Sequence, residues 1–130
     1  MININILADA KFPFNRDSLR IHLAKVLEKY RLIDNVELSI LVVGKRKMSQ
    51  LHKLYMASDE ATDVLSFPLN DPADSRPFLA SPDNILRMGD IVICYPIAVE
   101  EALEKQIFLD QQLQFLAEHG MMHLLGFHHE

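Results

Sequence analysis

Hydrophobic and polar positions alternate twice in the first third of the chain. Ile2, Ile4 and Ile6 take turns with Asn3 and Asn5. Period two with β-branched residues predicts a strand over Ile2–Ile6 that buries one face. Val36, Leu38, Ile40 and Val42 alternate with Glu37, Ser39, Leu41 and Val43. This predicts a second strand, Val36–Val43, wetter at its start and buried at its end, and closed by Gly44. Between the two the period lengthens. Leu19, Leu23, Val26, Leu27 and Tyr30 recur at helical spacing and form one apolar stripe. Asp17 or Ser18 is suited to cap that helix, and Asp34-Asn35 is a turn signal. Ala8 to Arg16, with Pro13, reads as a connection.

The same reading covers the rest of the chain. Lys45–Met56 predicts a helix with Met48, Leu51 and Tyr55 on its apolar face. Asp63–Phe67 is a short strand stopped by Pro68. Leu69 to Arg87 holds Pro72, Pro77 and Pro82 with Asp71, Asp74 and Asp83, and a loop this long in a small domain is a functional lid or a mobile segment. Asp90–Cys94 is a fourth strand, apolar throughout after its first residue. Pro96 suits the first turn of a helix, which Val99, Leu103 and Gln106 continue, with Glu100, Glu101 and Glu104 outward. Asp110 opens a final helix whose buried stripe is Leu109, Leu113, Leu116, Ala117, Gly120 and Leu124. Strands and helices in this arrangement predict an α+β fold: one domain over residues 1–130, with a four-strand mixed sheet packed by helices.

Composition narrows the class. At 130 residues a chain buries roughly two thirds of its unfolded surface, enough for a core without staples. A single cysteine, Cys94, rules out an internal disulfide and fits a reducing, cytoplasmic setting. Cys94 itself reads as a small buried hydrophobe. The start, Met1 to Ile6, lacks a secretory signal's basic region and cleavage site. No apolar run approaches the roughly 20 residues of a membrane helix, so no membrane partner is expected. The net charge of −5 argues against a broad electrostatic grip on nucleic acid, so an RNA substrate needs a local basic patch, a metal or a ribosome-bound partner. Lys45, Arg46, Lys47 and Lys53 make the one dense basic cluster. It reads either as a solvated helix start or as a contact to RNA phosphate.

The candidate chemistry sits at the end of the chain. Of six histidines, four are His119, His123, His128 and His129. His119 and His123, four apart, share one helix face, separated by about 6 Å of rise. Gly126 ends that helix by adopting the left-handed conformation. The chain then turns back, and His129 is able to approach the same point. Three imidazoles and a water are the layout of a catalytic zinc site, which makes His119, His123 and His129 the candidate metal ligands and one zinc ion per chain the expected cofactor. The spacing matches the zinc-protease form H-E-x-x-H-x-x-G-x-x-H at all positions but one: Gly120 replaces the Glu that serves there as general base. Neutral imidazole is the ligand form, so acid should weaken metal binding. Glu118 and Glu130 are further acids in this stretch without an assigned role. His22 lies beside the stripe of its helix, with no partner in the sequence, and reads as structural or exposed.

His119-Gly120-Met121-Met122-His123-Leu124-Leu125-Gly126-Phe127-His128-His129 resembles the H-G-x-L-H-L-x-G-Y-D-H signature of the YbeY family. Thr62-Asp63-Val64-Leu65-Ser66-Phe67-Pro68 matches that family's T-D-V-L-S-F-P segment, and Met88-Gly89-Asp90-Ile91-Val92-Ile93-Cys94 is similar to its L-G-D-I-x-I-S segment, with Cys94 in the Ser place. The resemblance covers most of the chain. It implies a zincin-like metal site on the C-terminal helix and a metal-dependent endoribonuclease, specific for single strands. Such an enzyme serves ribosome biogenesis and the 3′-end maturation of small-subunit ribosomal RNA. It implies substrate contacts at Thr62, Asp63 and Ser66, and ribosomal RNA, the ribosome or ribosomal proteins, rather than DNA, as partners. Two positions depart from the pattern. Met56 stands where the family carries Arg, whose fork of donors suits a phosphodiester, which leaves Lys53, Arg76 or Arg87 as replacement cations. His128 stands where it carries Asp, removing an anion able to orient a ligand. Two other readings stay open on the residues alone: a metal-dependent hydrolase of another substrate, and a ribosome-associated factor with a structural metal that cuts nothing.

Overall fold

The computed structural model describes residues 2–30, 35–56, 62–69 and 85–126, apart from the side chains of Tyr55 and Met56. Eight elements follow in chain order: β1 (Ile2–Ala8), α1 (Arg16–Lys29), β2 (Val36–Val43), α2 (Lys45–Met56), β3 (Val64–Pro68), β4 (Leu86–Cys94), α3 (Tyr95–Lys105) and α4 (Leu109–Leu124). The strands form one sheet in the order β1-β2-β4-β3. β1 and β4 run parallel to β2, while β3 runs antiparallel to β4. The expected α+β architecture with a four-strand mixed sheet is therefore present.

Alternation along the strands sorts residues onto two faces. Ile4 and Ile6 of β1, Leu38, Ile40 and Val42 of β2, and Ile91 and Ile93 of β4 meet Leu19, Leu23 and Leu27 of α1 and Leu113, Leu116, Ala117, Met121 and Leu124 of α4. The opposite face carries a smaller cluster, Met48 of α2 with Leu65, Val92 and Cys94, flanked by Leu41, Val43 and Leu51. Glu37 and Ser39 share that face with Leu41 and Val43, so β2 dries out where α2 lies across it.

Several boundaries differ from the sequence expectation, each for a local reason. The cap of α1 is Asn15, whose side chain accepts from Ser18 N at 2.9 Å. Asp17 lies instead in the first turn, where its charge suits the helix dipole. Asn35 takes a left-handed φ of 52°, fulfilling the turn signal. β4 starts at Leu86, so Leu86 and Arg87 leave the expected loop and pair with Val36 and Glu37. Residues 70–84 of that loop lie outside the described residues. The register slips after Glu37, leaving Met88 as the extra residue of a bulge. Gly89 follows at φ +132°, and a Cβ there would sit 2.2 Å from the carbonyl oxygen of Phe67. Only glycine lets β3 pass so close. In α3 the inward residues are Ala98 and Ala102, Leu103 is 73% exposed, and Gln106 is a left-handed cap rather than a helical residue. Glu101, expected outward, turns toward α4.

Charge distinguishes the helix starts. α1 and α4 carry an acid in the first turn, Asp17 and Asp110. α2 carries none there; its first three residues are Lys45, Arg46 and Lys47, and the position before them is Gly44. Cations at this end of a helix oppose its dipole. At the sheet's outer edge, Arg16 donates to the carbonyls of Ile6 and Ala8, and Arg20 to that of Ile4. These bonds occupy part of the open side of β1. Among the described residues, no helix is long and apolar enough to cross a membrane.

Candidate metal centre

α4 lies across β3 and β4 and packs against α1 and α3. Its buried stripe is Gln112, Leu113, Leu116, Ala117, Gly120, Met121 and Leu124. Leu109, expected in that stripe, is half-buried, and Gln112 replaces it. The face next to the stripe carries His119 and His123, both half-buried. Their ring centroids are 4.5 Å apart and their planes differ by 48°. Two tetrahedral zinc–nitrogen bonds of about 2.0–2.1 Å place ligand nitrogens about 3.4 Å apart, and rings this close are near enough for one nitrogen of each to reach a shared ion. Phe115, one turn earlier, stacks on His119 at 6.4 Å, and Lys105 covers Phe115 at 4.3 Å. After Leu124 the helix closes with Gly126 N donating to His123 O at 3.0 Å. Gly126 has φ +90°, the conformation expected of it.

The third expected ligand, His129, lies outside the described residues, as do Phe127, His128 and Glu130. Among the described residues no group of three or more His, Cys, Asp or Glu side chains is spaced to hold an ion. The described part of the cradle is thus the pair His119–His123 and the bend that follows it.

The structure explains why position 120 is glycine. A Cβ there would lie 2.9 Å from Ile91 Cγ2, and Ile91 is fully buried. The peptidase glutamate of the zinc-protease pattern has no space at this position. Ser66 pairs with Ile91 across the β3–β4 ladder, so the two residues share a face. That face meets the turn of α4 bearing the two histidines.

Asp63 has different company. Its carbonyl accepts from Cys94 N at 2.9 Å, and its carboxyl group hydrogen-bonds Glu101 of α3. Glu101 in turn accepts from Gln112 Nε2 at 3.1 Å, and Lys105 donates to Gln112 Oε1 at 3.0 Å. Burial, then the bond to Asp63 and its charge, raises the Glu101 pKa above the usual carboxylate value. Gln112 stands seven residues before His119, about 10 Å along the helix axis. Asp63 therefore belongs to a polar cluster further up α4, whereas Ser66 lies level with the histidines. Thr62 is half-buried at the entry to β3.

Two features escaped the sequence. His22 has a partner: its Nε2 lies 2.8 Å from Glu118 Oε1, which ties α1 to α4 beside His119. Ninety-six positions separate them in the chain, so no local pattern signals the pair. The Asp63–Glu101–Gln112 cluster is equally non-local. Cys94 is wholly buried and burial raises its thiol pKa, which agrees with a packing role. The cations weighed as replacements for the missing Arg fall in three places: Lys53 is exposed on α2, Arg87 is half-buried in β4, and Arg76 lies outside the described residues, as does the side chain of Met56.

The model of the Endoribonuclease YbeY family matches residues 7–130. Among curated relatives, an Endoribonuclease YbeY of Thermoanaerobacter sp. (strain X514) is 37% identical over 109 residues, spanning 81% of this chain and 69% of its own length. One of Thermobifida fusca (strain YX) is 31% identical over 128 residues, covering 98% of this chain and 81% of its own. The solution structure of TM1509 from Thermotoga maritima superposes with a TM-score of 0.64 at 27% identity, over 98% of this chain and 75% of that one. The matched range, residues 7–130, includes both histidines of α4, the β3 segment and the Gly89 bulge. The chain belongs to the Endoribonuclease YbeY family.

Proposed function

We propose that the protein is a metal-dependent endoribonuclease that cuts single-stranded RNA during 3′-end maturation of small-subunit ribosomal RNA in the cytoplasm. Its ion is held by His119, His123 and His129, with zinc as the preferred metal at one per chain. The observation that carries this reading is the His119–His123 pair, with ring centroids 4.5 Å apart on a helix packed into the main core. The family's named activity supports RNA as the substrate.

When bound, a divalent cation on imidazoles supplies Lewis-acid polarisation of a phosphoryl oxygen and acidifies water. The chain does the rest. α4 holds His119 and His123 rigidly, because the stripe beside them is buried and Gly120 sits directly on Ile91. Phe115 lies beside the His119 ring, nearly parallel to it. The His22–Glu118 and Ser18–Gln114 bonds tie α4 to α1. Ser66, on the facing strand, offers a hydroxyl to substrate at the same level. A peptidase role is disfavoured, since the residue that would act as its base is the buried Gly120.

The test is incubation of untagged protein with small-subunit ribosomal RNA, with and without a chelator. Cleavage that the chelator abolishes and the His123→Ala variant lacks supports the enzyme. Binding of that RNA without any cleavage supports the rival reading, a ribosome-associated factor with a structural metal, toward which Met56 in the family's Arg position points.

A further inference from the structure

The carboxyl ends of β1 and β2 frame a crevice on the side of the sheet away from β3. The chain leaves β1 toward α1, which covers one face, and leaves β2 into α2, which covers the other. Connections that part to opposite faces open a gap between neighbouring strand ends, where open sheets of this kind hold ligands. The gap here has a volume of about 580 Å³, within the range of small-molecule sites.

Its walls are anchored. Phe12 N donates to Asp9 O at 3.0 Å and Lys11 N to Asp9 Oδ1 at 3.1 Å, which fixes the turn after β1. The Phe12 ring stacks on Tyr95 at 4.8 Å, and Tyr95 donates its hydroxyl to Pro13 O at 2.6 Å. Phe12 Cζ also lies 3.4 Å from where a Cβ on Gly44 would be.

The lining is cationic and apolar together. Lys11, Arg46 and Lys47 reach it from two elements, over a floor of Leu7, Leu41 and Phe12. All three cations are exposed, and among the described residues no carboxylate forms an ion pair with any of them. Lys45, by contrast, is neutralised by Glu100 at 3.0 Å. Asp9 is the acid of the lining, and one of its oxygens is occupied by the backbone of its own turn. In a chain of net charge −5, this is a local positive site with apolar lining. Lys11 Nζ lies 5.4 Å from the centroid of the Phe12 ring, which also stacks on Tyr95, so Phe12 holds a cation in the crevice, phosphate suits the cations, and the apolar atoms of Leu7 and Leu41 suit a ribose.

We propose that this crevice is a nucleotide-phosphate subsite that grips the RNA strand at a distance from His119 and His123. The inference rests on the endoribonuclease reading for the identity of that strand. β1 and β3 are three strand spacings apart, about 14 Å, so the grip falls on a different part of the strand from the cut. It supplies cations to a chain whose Met56 replaces the family's Arg.

The test uses the His123→Ala protein in chelator, which should bind without cutting, and fluorescent dodecauridylate as the probe. Adding Arg46→Glu and Lys47→Glu should weaken binding roughly ten-fold or more at low salt, and flatten the dependence of log affinity on log salt by about 1.4. Lys11→Glu alone, from the other wall, should give a smaller loss in the same direction. Circular dichroism and thermal melting of each variant confirm that it is folded. Uridine monophosphate should displace the oligomer only at millimolar concentration. Unchanged affinity and salt slope in the folded double variant would overturn the proposal, as would a parent protein that does not bind the oligomer. Micromolar displacement by the mononucleotide, lost in the double variant, would assign the crevice to a free nucleotide and overturn the strand reading. Because the readout is binding by a chain that does not cut, its failure is separate from a failure of ribosomal RNA cleavage.

Discussion

The two faces of the sheet are built differently. Between α1, α4 and the sheet lies a continuous core, with Leu23 and Leu27 fully buried and the histidine pair at its margin. Across the other face α2 buries Met48 completely but leaves Leu51 half-covered and Leu54 72% exposed. The dense face carries the two proposed ligands on a packed helix, as a metal site requires. The thinner face leaves room for a charged crevice at one end of α2. Rigidity and openness are thus divided between the two sides of one sheet.

Core truncations probe this division most strongly. Leu23→Ala should cost about 2–5 kcal/mol in urea denaturation, since the site is closed on all sides. Leu51→Ala should cost about 1 kcal/mol, because much of its surface already meets water. Equal losses would erase the contrast. Gly120→Ala comes next. Alanine gains up to about 1 kcal/mol of helix propensity but forces its methyl onto a stiff, buried Ile91, at about 1–3 kcal/mol. A net loss of about 1 kcal/mol is expected by thermal melting, and a net gain would mean that α4 stands further from the sheet than described.

Charge changes on the thin face should act in the opposite direction. Arg46→Glu and Lys47→Glu reverse cations that oppose the α2 dipole. Each should raise stability by about 0.3–1 kcal/mol at low salt, with the gain fading at high salt. Stability up with RNA affinity down is the signature of residues kept for binding. The smallest effect concerns Glu101, whose raised pKa means that the fold prefers its protonated form. Stability from this group is then present below the ordinary carboxylate value and lost as pH rises through the raised value. Glu101→Gln should therefore raise the melting temperature slightly at neutral pH and leave it unchanged in acid. A loss at neutral pH would show that the charge itself is needed beside Gln112 and Lys105.

Much of this is legible in the sequence. The two-residue periods of β1 and β2 locate both strands, because each buries one face fully and the other at most in part. Most of the α4 stripe and the turn at Gly126 follow from spacing, although Leu109 is only half-buried and Gln112 and Met121 join the stripe. What stayed hidden is what the chain assembles across distance. Leu86 and Arg87 looked like the end of a loop, since their pairing with Val36 and Glu37 depends on a bulge seen only in the sheet. Leu103 looked inward by its apolarity, yet α3 packs through Ala98 and Ala102, and Leu103 is left outside. The basic run at Lys45 was visible as charge, but its link with Lys11 and Phe12 needed the return of the chain from β1. The His22–Glu118 contact had no sequence signal at all.

The central claim is that His119 and His123 share one ion with a ligand that follows the Gly126 bend. Elemental analysis of untagged protein, purified without added metal and dialysed, tests it most directly when wild type and His123→Ala are measured together. The account predicts about one zinc per wild-type chain and loss of most of it in the variant, with the far-ultraviolet circular dichroism of the two matching. A variant that keeps a full equivalent would contradict it.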